Sequence, residues 1–266
     1  MRAVDIVSGP GTTRNDASEW PPTTLLGGLC PETAQTMLRL GTSVGFRGGE
    51  ALLMEGDQSV HVFLIVRGWV KVIATQENGK DALIAIRSGG DLIGELASLD
   101  NNPRVAAVVA ASSCLTRRIG QEQFLAFLAG HRDAAEAVTR TVVAKLRSST
   151  RKRLEFSTCS IGVRIARILV ELAGHHGTPT PDGVAITTAL TQSDLAALVG
   201  AANPTTHRVL TALRRDGVIS TGYRSIVIRD LPALRDLGQF DADADAAQPG
   251  DARWPAPLPR HRLAAS

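Results

Sequence analysis

The chain has few of the residues that build disulfide frameworks and metal clusters. Its 266 residues include only three cysteines, Cys30, Cys114 and Cys159, which lie far apart. This usage is typical of a protein that stays in the reducing cytoplasm and has no disulfide framework. No two cysteines form a C-x-x-C pair, which argues against a zinc or iron–sulfur site.

Long apolar runs and the signatures of catalysis are also missing. No stretch of 18 apolar residues occurs and the N-terminus has no apolar signal core, so we expect a cytoplasmic protein that neither spans a membrane nor is secreted. No Walker loop, metal-ligand set or nucleophile–base pair is present, which argues against an enzyme. The doublet His175-His176 could ligate a metal, but an exposed loop before Gly177 explains it more simply.

Charge gives a weak indication of a nucleic-acid partner. The net charge is +3 at pH 7 and the pI is about 9.0, values that many enzymes share. Six basic residues and no acid lie between Arg140 and Arg153. Such a run is usually a solvated helix face, and it favours nucleic acid only beside a DNA-binding motif.

Changes in composition and apolar pattern divide the chain into five parts. Its length suffices for two modest domains. Residues 1–22 and 237–266 are polar or of low complexity, which predicts a disordered arm and tail. Residues 23–133 contain short apolar runs between turn residues and predict an antiparallel sandwich or barrel. A long helix over 134–157 and a mixed segment over 158–232 follow.

The predicted elements follow from apolar periodicity and turn residues. Helices are predicted around Met37, over 121–129 and over 161–173, and a loop over 177–183. Asn78-Gly79 predicts a hairpin turn over 76–80. The predicted strands are residues 62–66, 69–73, 82–86, 91–93, 105–111, 114–119 and 185–187, and a small β-wing over 218–220 and 226–228.

The long helix has a short apolar seam at roughly heptad spacing. Its members are Ala135, Val138, Val142, Ser149 and Phe156, with Leu146 beside them. Lys145 and Lys152 interrupt the seam, so it would make only a marginal coiled coil alone. The pattern is equally consistent with a helix that pairs two subunits and with one that packs on its own barrel.

Residues 190–219 read as two short helices joined by a tight turn, the arrangement that places a helix in the DNA major groove. Thr191 and Asp194 form a capping box, and Gly200 supplies a turn that needs a positive φ. Asn203 before Pro204 predicts the cap of the second helix. Gly217 then ends that helix.

A second constellation has the chemistry of an anion site. Gly94 allows close approach of a ligand to the backbone, and Arg104 can hold a phosphate through two parallel hydrogen bonds. Glu95 could accept a sugar hydroxyl. By chemistry alone, a turn with a surface ion pair explains these residues equally simply.

The order of barrel, long helix and winged helix-turn-helix resembles the cyclic-AMP receptor protein/fumarate-nitrate regulator (CRP/FNR) superfamily of bacterial transcription factors. The resemblance covers about residues 24–232, and its motifs are residues 94–97 with 103–104, 164–166 and 200–208. It implies an α+β fold. The parts would be an N-terminal cyclic-nucleotide-binding, jelly-roll-like β-roll over 23–133, a dimerisation helix over 134–157 and a winged helix-turn-helix over 158–232.

The resemblance implies roles for the barrel residues. The family's glutamate holds the ribose 2′-hydroxyl and its arginine holds the cyclic phosphate, and Glu95 and Arg104 match these positions. Val105 stands where bacterial cyclic-AMP receptors place a hydroxyl, so one hydrogen bond of about 1.5–3 kcal/mol is missing. The implied ligand-binding residues are Gly94, Glu95, Leu96, Ala97, Arg104, Val105, Ser149 and Thr150.

The second helix of the motif departs from the family's best-known reading residues. Asn203 and Pro204 stand where that branch has Arg-Glu, whereas Arg208 matches a later arginine. Arg208 is therefore the main candidate to contact guanine, and we expect a divergent, palindromic operator. The full set of candidate DNA contacts is Thr191, Gln192, Asn203, Thr205, Thr206, His207 and Arg208.

Two functions remain open at this point. The first is a homodimeric transcription regulator gated by cyclic AMP, another cyclic nucleotide or a similar small anion, with double-stranded DNA and, by the resemblance, RNA polymerase as partners. The second is a ligand-independent DNA-binding regulator with a vestigial sensor domain. Neither needs a covalent cofactor, a metal or a membrane.

Overall fold

The computed structural model describes residues 20–75, 81–186, 190–222 and 225–240. The predicted turn over 76–80, almost all of the predicted arm and most of the predicted tail lie outside these residues. The arm was expected to reach residue 22, but Trp20 already contacts the fold: its indole Nε1 donates to the Val66 carbonyl at 3.4 Å. A 3-10 turn, Leu26–Gly28, follows.

The N-terminal part is a β-roll with three short helices. Two four-stranded antiparallel sheets, in the orders β1-β8-β3-β6 and β2-β7-β4-β5, face each other. The elements are α1 (Pro31–Arg39), β1 (Thr42–Phe46), β2 (Ala51–Leu53), β3 (Val62–Arg67), β4 (Trp69–Thr75), β5 (Asp81–Ser88), β6 (Leu92–Ile93), α2 (Glu95–Asp100), β7 (Ala107–Ala110), β8 (Cys114–Ile119) and α3 (Gln121–Gly130).

The roll is held together by two apolar clusters. Phe63, Ile65 and Val70 lie in the cluster between the sheets. Met37 and Phe124 belong to the second cluster, where the helices cover one sheet. Alternation of buried and exposed residues along the strands accounts for this arrangement, because successive side chains point to opposite faces of a strand.

The long helix, α4, spans Arg132–Thr158. Its first half packs on the roll of its own chain, where Val138 joins the helix-covered cluster. Its second half exposes large parts of several apolar side chains, among them Leu146, Leu154 and Phe156. The first half of the helix therefore packs on its own barrel, which was one of the two interpretations of the sequence. The second half leaves an apolar surface without a partner among the described residues.

The C-terminal part is a winged helix-turn-helix. Its four-stranded sheet has the order β11-β12-β10-β9, and its core includes Ile165, Leu169 and Leu195. The elements are α5 (Ile161–His176), β9 (Gly177–Thr180), β10 (Gly183–Ile186), α6 (Gln192–Leu198), α7 (Asn203–Arg215), β11 (Ile219–Gly222), β12 (Ser225–Ile228) and α8 (Leu231–Leu237).

Two local predictions for this part need correction, and one helix was not predicted. Residues 177–180 form an edge strand rather than a loop, because Pro179 lies on the sheet edge, where its missing N–H costs nothing. His175 and His176 form the last turn of α5 rather than an exposed loop. Helix α8 was not predicted; its N-cap Asp230 accepts a hydrogen bond from the Ala233 N–H, and Leu234 is fully buried.

Candidate ligand site and DNA-binding surface

The ligand-site candidates converge on the turn between β6 and α2. Gly94 has φ +81°, a left-handed conformation that favours glycine. A Cβ at this position would lie 2.7 Å from Arg104 Nη1. Glycine is therefore required both by the backbone and by the close approach of the arginine.

Arg104 is a buried cation with three internal hydrogen bonds. It is 4% exposed. Its guanidinium donates from Nε to Ser59 Oγ at 3.3 Å, from Nη1 to the Gly94 carbonyl at 2.7 Å and from Nη2 to the His61 carbonyl at 2.5 Å. Burial lowers the pKa of Arg104, while the charges of Asp57 and Glu95 oppose that effect.

Glu95 is the buried anion of the site. It is 3% exposed, and its Oε1 accepts a hydrogen bond from Lys145 Nζ at 2.8 Å. Lys145 also donates to the Leu92 carbonyl at 3.2 Å. Burial lowers the pKa of Lys145, and Glu95 opposes that shift. The carboxylate of the roll is thus tied directly to the long helix α4.

Neighbouring charges also act on His61, whose carbonyl accepts from Arg104. Burial, followed by the charges of Arg118 and Arg104, lowers the pKa of His61 to about 4. Its ring is therefore neutral at physiological pH. Ser59, His61 and Lys145 were not predicted as site residues, because they approach the site only through the fold. Lys145 stood out in the sequence as part of the basic run and as an interruption of the apolar seam.

The remaining ligand-site candidates are divided between surface and interior. Val105 is 63% exposed and Leu96 lies at the surface, whereas Ala97 is buried. Ser149 is exposed on α4, one helical turn after Lys145. Thr150 is also exposed, and its hydroxyl donates to the Leu146 carbonyl at 3.0 Å. The structure thus brings Gly94, Glu95, Arg104 and Lys145 together, with Ser149 on the adjacent turn of α4.

The helix-turn-helix has the local geometry expected from its sequence. The Asp194 N–H donates to Thr191 Oγ1 at 3.1 Å and the Thr191 N–H donates to Asp194 Oδ2 at 2.8 Å, which confirms the capping box. Gly200 has φ +61° and Gly217 has φ +74°. Both glycines therefore occupy the turns predicted for them.

Helix α7 presents a polar face to solvent. His207, Arg208, Thr211 and Arg215 line one shallow depression on it. Arg208 Nη2 lies 3.4 Å from Thr205 Oγ1, and His207 Nδ1 lies 3.4 Å from Oε1 of Gln192 in α6. These contacts link the exposed side chains of the two helices into one surface.

One candidate DNA contact and one predicted helix cap need revision. Thr206 is 0% exposed, so it cannot contact DNA on this surface. Asn203 is the first residue of α7 rather than its cap; the N-cap is Ala202, and no side chain caps the helix. Pro204 fits this arrangement, because the first four N–H groups of a helix have no intrahelical acceptor. The amide of Asn203 is therefore not used by a cap.

The turn of the motif is held from the outside by α4 and α5. Arg164 Nη1 donates to the Val199 carbonyl at 2.7 Å. The Arg164 guanidinium also lies 5.3 Å from the centre of the Phe156 ring. A Cβ at Gly200 would lie 3.0 Å from that ring. The end of the long helix thus contacts the turn that positions α7.

The described part of the chain has no group of three or more His, Cys, Asp or Glu that could hold a metal ion. Within the same ranges, no helix is both long enough and apolar enough to cross a bilayer. A β-roll with a buried anion–cation cluster, joined by a long helix to a winged helix-turn-helix, defines a DNA-binding protein with an attached sensor-type domain.

Comparison with known proteins places this architecture in a family. Residues 43–131 match the cyclic nucleotide-binding domain family and residues 163–237 match the Crp-like helix-turn-helix domain family. The chain belongs to the CRP/FNR family of transcriptional regulators. It is therefore a transcription regulator and not an enzyme.

Curated relatives agree with this assignment. A CRP-like cAMP-activated global transcriptional regulator of Mycobacterium tuberculosis is 24% identical over 78% of this chain and 92% of its own length. The cAMP-activated global transcriptional regulator CRP of Salmonella typhimurium is 27% identical over 66% of this chain and 84% of its own length.

Solved structures share the fold. FixK2 from Bradyrhizobium japonicum superposes with a TM-score of 0.67 at 20% identity, over 76% of this chain and 100% of that one. A CRP-family transcriptional regulator from Thermus thermophilus gives a TM-score of 0.61 at 22% identity, over 73% of this chain and 96% of that one.

Proposed function

We propose that the protein is a homodimeric, sequence-specific DNA-binding regulator whose β-roll binds a cyclic nucleotide or a similar small anion that controls DNA binding. The observation that carries this proposal is the cluster of Gly94, Glu95, Arg104 and Lys145. It combines two cations and one carboxylate at a glycine turn, and one of the cations belongs to the long helix. We place this activity in the cytoplasm, with RNA polymerase as a further partner.

The charges of the cluster fit a phosphate with an adjacent sugar hydroxyl. Arg104 can exchange its carbonyl acceptors for phosphate oxygens, which make stronger, charge-assisted hydrogen bonds. Glu95 can accept a hydroxyl in place of the Lys145 ammonium. The relatives from Mycobacterium tuberculosis and Salmonella typhimurium carry names that describe them as cAMP-activated, which makes cyclic AMP the first ligand to test.

Ligand binding would act on DNA binding through Lys145. A ligand that competes for Glu95 releases or repositions the Lys145 ammonium and therefore α4. The end of α4 contacts Gly200 through Phe156. A ligand shifts such an equilibrium only by its difference in affinity for the two states, so the proposal requires that Glu95 and Arg104 bind the ligand more tightly in one orientation of α4.

The alternative is a DNA-binding regulator with a vestigial sensor. A specific observation favours it: three of the five N–H groups of Arg104 already donate to Ser59, Gly94 and His61, and Val105 lacks a hydroxyl. A ligand phosphate that takes these three N–H groups would have to replace internal hydrogen bonds.

Calorimetric titration with cyclic AMP and cyclic GMP, combined with DNA affinity measured with and without each nucleotide, separates the two functions. We expect binding heat from one nucleotide and a change in DNA affinity. Arg104→Met should abolish the heat, whereas Arg132→Met, which changes an exposed arginine on α4, should not. Absence of heat from both nucleotides in the parent protein, with DNA binding intact, would support the vestigial sensor.

A further inference from the structure

The β-roll and the helix-turn-helix share a buried core. Leu83 and Ile86 of β5 belong to the same apolar cluster as Leu195 and Leu198 of α6. Trp69 of β4 packs against that cluster as well. The first helix of the DNA-binding motif is therefore packed directly on a sheet of the roll, in addition to its connection through α4 and α5.

An ion pair lies within this contact. Lys71 Nζ of β4 is 2.7 Å from Oδ1 and 2.6 Å from Oδ2 of Asp194 in α6. The two side chains are only 21% and 15% exposed. Although burial opposes the shift, the hydrogen bonds from Lys71 and Thr191 lower the pKa of Asp194. Asp194 is thus ionised and bridges the capping box of α6 to the roll.

The end of α5 adds a second polar contact. The His176 ring packs edge-on against Trp69 with 4.5 Å between the ring centres, and its Nδ1 lies 3.2 Å from Ser88 Oγ. Burial, followed by the charges of His175 and Arg87, lowers the pKa of His176 to about 3. His176 is therefore neutral at physiological pH and adds no charge to the contact.

The sheet connects this contact to the ligand-site candidates. β7 begins three residues after Arg104 and pairs with β4, where Val109 lies opposite Lys71. A movement of the loop at Arg104 and Val105 would thus reach Lys71 across a single strand pair. This path does not involve the long helix.

We propose that the contact of β4 and β5 with α6, centred on the Lys71–Asp194 ion pair, is an interdomain lock. The lock fixes the orientation of the helix-turn-helix on the β-roll and transmits movement of the ligand site to it. The first role depends only on the contact, and the second rests on the proposed ligand gating.

Hydrogen exchange of the full-length protein tests the first role. Lys71→Met keeps the aliphatic stem and removes the charge, so amides of α6 and β5 should exchange about fivefold faster because the contact opens more often. Amides of β3 and β8 should be unchanged, which shows that the roll remains folded. Arg132→Met, which removes an exposed ion pair with Glu136, should change neither region. Unchanged exchange in α6 of Lys71→Met would overturn the lock.

DNA affinity with and without cyclic AMP tests the second role. In Lys71→Met the change in affinity that the nucleotide causes should shrink by at least about threefold relative to the parent, while heat of nucleotide binding persists. A full nucleotide effect in the variant would overturn transmission through the sheet. If the parent itself shows no nucleotide effect, the gating proposal and transmission fail together, and the exchange result still decides whether the lock exists.

Discussion

Arg208 is the side chain on the exposed face of α7 best suited to read a base pair. Its guanidinium can donate to guanine O6 and N7 together, and Thr205 lies within reach to orient it. Arg208→Ala should weaken specific DNA binding by about 1–3 kcal/mol and relax preference at one base pair in each half-site. Binding-site selection and titration with labelled DNA measure both effects.

The matched control for this prediction is Arg132→Ala. Arg132 is exposed at the start of α4, far along the chain from α7, and pairs with Glu136. The substitution removes the same charge from a position outside the proposed DNA-binding surface. An unchanged base preference in Arg208→Ala would show that Arg208 does not read a base pair.

The hydroxyl of Thr206 neither caps a helix nor faces the surface where DNA would bind. Its Oγ1 is buried and has no hydrogen-bond partner among the described residues. Thr206→Val should therefore raise the free energy of unfolding by about 1 kcal/mol, because valine has the same shape without the unpaired hydroxyl. Urea denaturation measures the change. Thr205→Val is the control, since Thr205 has Arg208 as a partner; a loss of stability in Thr206→Val would contradict the argument.

Residue positions were predictable where the determinant is local. The Thr191–Asp194 box and the turns at Gly200 and Gly217 follow from contacts over a few residues. Thr206 could also have been placed correctly: it lies four residues before Leu210 on the buried face of α7, but its polarity suggested solvent. Lys145 could not be assigned, because its partner Glu95 lies 50 residues away along the chain.

Among the structural elements, the turn between α6 and α7 is constrained both by its backbone conformation and by a neighbouring ring. Gly200→Ala places a Cβ in a left-handed conformation, which costs about 1–2 kcal/mol, and 3.0 Å from the Phe156 ring. We expect lower thermal stability and weaker DNA binding. Adding Phe156→Ala should restore only the part of the loss that comes from the ring contact.

Gly174→Ala is the control for this element. Gly174 lies inside α5, and among the residues that the structure describes no atom outside its immediate neighbourhood lies within 4 Å of a Cβ built there. This substitution should stabilise the protein by about 0.5–1 kcal/mol. Calorimetric unfolding of both variants compares the two glycines; equal effects would show that the turn imposes no special constraint.

Elements were predictable from periodicity when they were long or strongly alternating. The strand at Cys114–Ile119 coincides with its predicted bounds. β9 was missed because Gly177 and Pro179 are typical of loops, and its strand conformation depends on pairing with β10. α8 was missed because seven residues give too little periodicity.

At the scale of the whole molecule, the free apolar surface of α4 bears on the proposed dimer. Leu146 is 66% exposed and Leu154 is 62% exposed, although both lie on a helix that is otherwise anchored to the roll. Leu146→Glu should shift the protein from dimer to monomer in sedimentation velocity, because it places a charge in the proposed helix pair. DNA binding to a palindromic site should weaken in parallel.

Met54→Glu is the matched control, since Met54 is an exposed apolar residue of the roll outside α4. It should leave the sedimentation coefficient unchanged. A dimer that persists in Leu146→Glu would show that the subunits do not contact each other through this part of α4.

The contact between the β-roll and the helix-turn-helix could not be predicted from the sequence. The motifs predicted both units and their order, since each is coded by short patterns. Lys71 and Asp194, however, are 123 residues apart. No local sequence pattern around either residue indicates that the two side chains are in contact. Contacts of this kind depend on the packed shapes of both domains.

The edge-on packing of Trp69 on His176 makes the domain contact optically visible. Trp69 lies at the contact, Trp20 lies on the roll beside Val66, and the sequence has only three tryptophans. A protein in which Trp20 and Trp254 are replaced by phenylalanine would have a single intrinsic fluorophore of this kind. Its emission would shift to the red when water replaces the imidazole, so separation of the two domains could be followed in real time without any added label.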